Sequence, residues 1–269
     1  MRKLFLILLI ITLFSCEKQT NWTTDKTNFN TVVVEAIITN ENKNQEVKLS
    51  KPRNDINEEI LPASGASIKI YDDDNVYYFS EKDTEHGTYL SNNKFIAVVG
   101  KTYYLEINYN GKIYLAKSQM IPVKPFYPLT YSKVDSISNY YKIAWVANTY
   151  DLNEQAMYEL EIDWSHISNN SDTIKKAKVF YYTLNTIDVS QAFSPELEDI
   201  QFPKGSIIIE KKYSLTDDYA DYIRSMLAET RWRGGFFDEA QGNLITNIDN
   251  GGLGYFSACS VITRTIVVE

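Results

Sequence analysis

Cysteine is nearly absent from this chain of 269 residues, which has only Cys16 and Cys259. That excludes the disulfide framework that staples many small exported domains. Histidine is as scarce: His86 and His166 are the only two, and neither falls in a zinc-ligand spacing or beside a recognisable nucleophile. The sequence therefore gives no metal centre, no cofactor motif and no nucleophile–base pair. Long hydrophobic runs are missing too. Leu4 to Phe14 is apolar except for Thr12, but at about 1.5 Å per residue it falls well short of a bilayer core of roughly 30 Å. Basic charge is in deficit, with 27 Lys and Arg against 35 Asp and Glu and a formal net charge of −8. A surface of that sign repels phosphate, which argues against nucleic acid as a partner.

The N-terminus is more specific than the composition. Arg2 and Lys3 precede the apolar run, and Ser15 then stands directly before Cys16. This is the order of a bacterial lipoprotein leader, in which the thiol is acylated and the chain is cut in front of it. Residues 1–15 are expected to be a signal peptide, and Cys16 the lipidated first residue of the mature chain. A plain secretory leader with an incidental cysteine is the weaker reading. Two or three acyl chains, at about 0.8 kcal/mol per buried CH₂, anchor a protein stably. Removing Arg2 and Lys3 with the leader leaves 25 basic residues against 35 acidic ones, a formal charge of about −10. Residues 16–30 are polar apart from Trp22 and Phe29 and read as a flexible tether. An acidic body on such a tether is expected to stand off the membrane.

Twenty tyrosines and frequent period-two alternation indicate a mainly β, all-β class of fold. Strands are predicted at Thr31–Thr39, Glu46–Ser50, Ala66–Tyr71, Val76–Ser80, Gly87–Leu90, Lys101–Tyr109 and Lys112–Met120. That density is typical of an immunoglobulin-like β-sandwich, placed over residues 31–121. Asn110-Gly111 predicts a type I′ hairpin turn, because both central positions need positive φ. Pro122, Pro125 and Pro128 remove backbone donors and mark a boundary. A second β-rich, sandwich-like domain is expected over 122–269, with strands at Tyr140–Asn148, Met157–Trp164, Lys178–Thr183, Ser206–Lys212, Asn243–Ile248 and Tyr255–Val268. One amphipathic helix is expected at about 215–229, with Ser214 or Thr216 as its N-cap and Asp217 and Asp218 complementing its dipole.

Candidate sites are few. Arg231-Trp232-Arg233 places two guanidinium groups around an indole beside Gly234-Gly235, an arrangement suited to an anion or carboxylate. Alternatively the glycines end the helix, and Phe236 and Phe237 enter the core. Asp72-Asp73-Asp74-Asn75 resembles a calcium loop only in composition; its spacing fits a turn better. Cys259 lies in a strand-like run and reads as a buried small side chain. Four tyrosine pairs, Tyr77-Tyr78, Tyr103-Tyr104, Tyr140-Tyr141 and Tyr181-Tyr182, should each place one ring inside a sheet and one outside. The irregular stretch Asn185–Lys204 is a candidate contact loop.

Gly234-Gly235-Phe236-Phe237-Asp238, Gly242-Asn243-Leu244 and Leu253-Gly254-Tyr255-Phe256-Ser257-Ala258 resemble the C-terminal signature of domain-of-unknown-function family 4249, lipoproteins of Bacteroidota. Val33 to Asn40, Pro62 to Ile70 and Gly100-Lys101-Thr102-Tyr103 resemble its N-terminal pattern. Glu239-Ala240-Gln241 stands where the family carries a proline-rich run. The resemblance implies a non-catalytic cell-envelope lipoprotein of the outer membrane, in either leaflet, acting as an accessory partner or substrate-binding component of a TonB-dependent transporter. A stand-alone ligand- or glycan-binding module, and least of all a hydrolase, are the alternatives. The lineage also implies that Ser136, in Asp135-Ser136-Ile137, and Thr173, in Asp172-Thr173-Ile174, are candidates for O-glycosylation.

Overall fold

Alternation along Val33–Thr39 (β1) puts Val34, Ala36 and Ile38 on one face, and all three are buried in a single core. The same period recurs in Glu46–Ser50 (β2), Ser67–Tyr71 (β3), Val76–Lys82 (β4), Glu85–Ser91 (β5), Thr102–Tyr109 (β6) and Lys112–Gln119 (β7). In the computed structural model, which describes residues 31–53, 58–136, 139–167, 175–186, 200–230 and 244–269, these strands form one sheet. Its eighth member is Leu253–Cys259 (β14), and its order is β14-β1-β2-β5-β4-β3-β6-β7.

The sheet nearly closes on itself. Side chains, not a ladder, bridge the seam between β7 and β14. Asn247 Nδ2 donates to Lys117 O at 3.2 Å and Phe256 O at 2.8 Å, while Asn247 Oδ1 accepts from Phe256 N at 3.0 Å. Asp249 and Asn250 bond the backbone of Leu115 and Ile113, and Ser118 Oγ accepts from Ala258 N. The seven N-terminal strands anticipated from the sequence therefore all form. They belong to one continuous barrel-like ladder, however, where an immunoglobulin-like sandwich would have two, because β14 from the far end of the chain fills the gap beside β1.

β14 pairs in parallel with β1 through seven residues, from Val33↔Leu253 to Thr39↔Cys259. Parallel strands are covered on both faces as a rule, and β14 follows it. Phe256 and Ala258 enter the barrel core, while Tyr255 and Cys259 face a second core under the helix Asp217–Thr230 (α1). Tyr219, Tyr222 and Tyr255 dock that helix on the barrel, with ring centroids 4.8–6.1 Å apart. Such ring pairs contribute about 0.5–1.5 kcal/mol each beyond their burial. Thr216 caps the helix through Tyr219 N at 3.3 Å, whereas Ser214 bonds Ile121 O and Ser260.

At Ser260 the chain leaves the barrel and enters a four-stranded antiparallel sheet. Its order is β11-β10-β13-β15, where β10 is Ala156–Asp163, β11 Lys176–Thr183, β13 Ile207–Ser214 and β15 Val261–Val267. One face meets α1. The other packs on a three-stranded sheet of Thr130–Lys133 (β8), Tyr140–Trp145 (β9) and Phe202–Pro203 (β12), around Tyr158, Leu160, Ile162, Trp164 and Phe202. The predicted strand Tyr255–Val268 is thus two strands in different sheets. Over 244–248, where another strand was predicted, the described residues are irregular; the Asn247 side chain makes the bonds to Phe256 that a strand backbone would have made. No helix among the described residues is long and apolar enough to cross a membrane.

Candidate functional site

The three prolines that interrupt alternation after residue 121 leave backbone carbonyls without ladder partners, and two cations, one buried and one half-buried, take them up. Lys212 Nζ donates to Pro125 O at 2.9 Å, and Arg264 donates to Tyr127 O at 2.6 Å. Both come from neighbouring strands of the four-stranded sheet, β13 and β15. Lys212 is fully buried and forms an ion pair of 2.5 Å with Glu154, itself almost buried. Its ammonium also lies 5.1 Å from the Tyr127 ring centroid and 5.3 Å from that of Tyr158, within cation–π range. Arg264 pairs with Glu210 at 2.6 Å, the residue directly across the β13–β15 ladder, and stacks over Phe126 at 4.4 Å. Burial pushes the Glu210 carboxyl above its ordinary value, against the pull of Arg264. Glu210 Oε1 has no hydrogen-bond partner among the described residues.

A half-open cleft of about 220 Å³ lies against this cluster, between residues 121–124, the 152–156 segment, Asn185 and the start of α1. Glu154 joins the cleft to Lys212 behind it. Lys124 Nζ donates to Asn153 O at 2.7 Å and Gln155 Nε2 to Asp217 Oδ1 at 2.6 Å, so the walls are held together across three segments. Carboxylates and amides here can receive a polar group. The volume is below the roughly 300–1,000 Å³ of ordinary small-molecule sites.

Asn185, at the start of the predicted contact loop, lines this cleft; residues 187–199 of that loop lie outside the described residues. Arg231, Trp232, Arg233, Thr173 and Cys16 lie outside the described residues, so nothing places the Arg-Trp-Arg group. Ser136 is exposed in a bend after β8. His86 sits on the β4–β5 hairpin with Nδ1 3.6 Å from Glu81, and His166 Nε2 lies 3.0 Å from Gly205 O. Neither histidine neighbours the cleft-lining residues.

In the Asp72 turn, Oδ1 accepts from Asp74 N at 2.8 Å, Asn75 N at 3.1 Å and Lys101 Nζ at 3.2 Å. Burial raises the Asp72 pKa, but those bonds outweigh it and hold the carboxyl below its ordinary value. The turn thus spends its carboxylate on its own backbone and on Lys101. Cys259 is wholly buried; burial pushes its thiol up to about 12, against the hydrogen bond with Ser257 at 3.3 Å, and it packs as a small apolar side chain.

No motif in the sequence marks Glu154, Lys212, Glu210 and Arg264. A signal was present: Glu210 and Lys212 share strand parity with Ile208, so two charges fall on an apolar face.

A family model described as "Domain of unknown function (DUF4249)" matches residues 17–265. No curated protein matches the chain.

Proposed function

We propose, from the premise that the chain belongs to the DUF4249 family, that it is a non-catalytic cell-envelope lipoprotein held on the outer membrane by an acylated Cys16. In this reading residues 1–15 are the cleaved leader, 16–30 the tether, 31–121 a first β-rich unit that β14 from the C-terminal part completes, and 122–269 otherwise the second. The body serves as an accessory partner, or substrate-binding component, of a TonB-dependent outer-membrane transporter. The observation that carries the reading is the leader ending in Ser15-Cys16. The small polar cleft beside Lys212 supports contact with another protein over capture of a free metabolite. Ser136, exposed beyond β8, suits a surface O-glycan, and Thr173 is proposed as its second acceptor.

Gentle solubilisation of membranes from the native host, followed by affinity isolation of the tagged chain, should recover a β-barrel outer-membrane protein in stoichiometric amount. Recovery of the chain alone, with crosslinking before solubilisation, contradicts the partner role. A stand-alone glycan-binding module would instead show a thermal shift with a glycan, lost in Trp232→Ala.

A further inference from the structure

Strand direction fixes which end of the barrel the tether reaches. β1 starts at Val33, level with Leu253 at the start of β14 and Ser50 at the end of β2. Asn250 Nδ2 bonds Ile113 O at 2.7 Å and brings the start of β7 to the same level. Thr31 Oγ1 bonds Gly251 O at 2.6 Å where the described chain begins, and Lys51 N bonds Leu61 O beyond the end of β2. Four neighbouring strand ends, those of β2, β1, β14 and β7, therefore surround the point of entry. They expose Ile60, Leu61, Ile113 and Leu253 at 64, 55, 48 and 42%. The four-stranded sheet is joined at the opposite end, through Ile121 and Ser260.

Residues 16–30 are 15 residues long and reach at most about 50 Å even when fully extended. An acyl group on Cys16 therefore makes the entry end the nearer one to the bilayer, since the far end is a further strand length away. We propose that the entry end is a membrane-docking face, on which Ile60, Leu61, Ile113 and Leu253 seat in the headgroup region of the bilayer that holds the acyl chains. The inference rests on the lipidation of Cys16 proposed above. The charges at this end are mixed, Lys51, Arg53 and Lys112 with Glu58 and Glu59, and Lys82 with Asp83 and Glu85 on the β4–β5 hairpin, which the β2–β5 register brings to the same end; the chain as a whole is acidic. Apolar insertion into zwitterionic lipid therefore drives the contact, and attraction to anionic lipid does not. The tether then acts as a leash: the barrel rests on the membrane, where the net charge alone leads to the expectation that it stands off, and the C-terminal sheets and the cleft project away from it.

The far end supplies an internal control, because Val98 and Val99 are exposed there to a similar degree, at 50 and 44%. The full lipidated chain carrying Ile113→Cys, or separately Val99→Cys, is labelled with an environment-sensitive fluorophore and reconstituted in phosphatidylcholine vesicles containing a headgroup-region quencher. Cys259 is buried, and Cys16 is acylated. At least threefold stronger quenching at position 113 than at 99 is expected. Equal quenching at the two positions, or none at either while the protein floats with the vesicles, overturns the docking face and leaves lipidation standing. Failure to float overturns both. A second pair, Leu253→Cys against Val98→Cys, gives the same contrast if Ile113→Cys does not fold.

Discussion

Replacing Lys212 with alanine is expected to destabilise the chain by about 3–5 kcal/mol, the usual cost of removing one partner from a buried ion pair. The ammonium is wholly buried among Glu154, Pro125 O and two tyrosine rings. Without it, Glu154 keeps a charge with no cation beside it, and the Pro125 carbonyl loses its donor. Urea denaturation measures the loss. Replacing Glu154 with glutamine as well should restore part of it, since the uncompensated charge disappears; the two changes are coupled and will not add. Because Lys212 holds the proline segment against the four-stranded sheet, the cleft should open in the single mutant. Faster proteolysis after Lys124 would report that. A loss below about 1 kcal/mol, the level of a surface pair, would mean that the cluster does not hold the junction.

The second large effect concerns closure of the barrel. Gly254→Ala should cost about 3 kcal/mol or more, from two causes that act together. The residue has φ +82°, where a side chain is strained. An added Cβ would also run into the backbone carbonyl oxygen and nitrogen of Val34, the residue opposite in the parallel ladder. Backbone cannot move aside as a flexible side chain would. β14 must then shift away from β1, and the Tyr219–Tyr222–Tyr255 contact that docks α1 shifts with it. Gly251→Ala is the control. It also has positive φ, +72°, but an added Cβ meets only open space, so about 1 kcal/mol of strain is expected. Thermal unfolding separates the two variants; equal Tm values would contradict the described β1–β14 register.

Local features of this fold were readable in the sequence, and long-range ones were not. The Asn110-Gly111 turn adopts φ of +51° and +76°, as a type I′ turn requires. The helix begins one residue after Thr216 because capping is a matter of adjacent residues. Three tyrosine pairs divide between a more buried and a more exposed ring, as period two demands. Tyr181 and Tyr182 pack on different cores, because β11 is covered on both sides. No local pattern announces that Leu253–Cys259 pairs with a strand more than two hundred residues earlier. The nearest hint is the unbroken run of small and apolar residues in Tyr255-Phe256-Ser257-Ala258-Cys259, which suits burial on both faces. The cleft was illegible for the same reason: Glu154, Lys212 and Pro125 meet only through tertiary packing, and β8 and β12 are too short to show a period.

The proposed lipid anchor on Cys16 carries the rest of the functional reading. Metabolic labelling with an alkyne-bearing fatty acid, applied to the chain and to Cys16→Ser in the native host, tests it most directly. The account predicts label on the parent chain and its recovery in the membrane fraction, with no label and release from membranes for Cys16→Ser. Label that persists on Cys16→Ser, or a parent chain that takes up none, would contradict it.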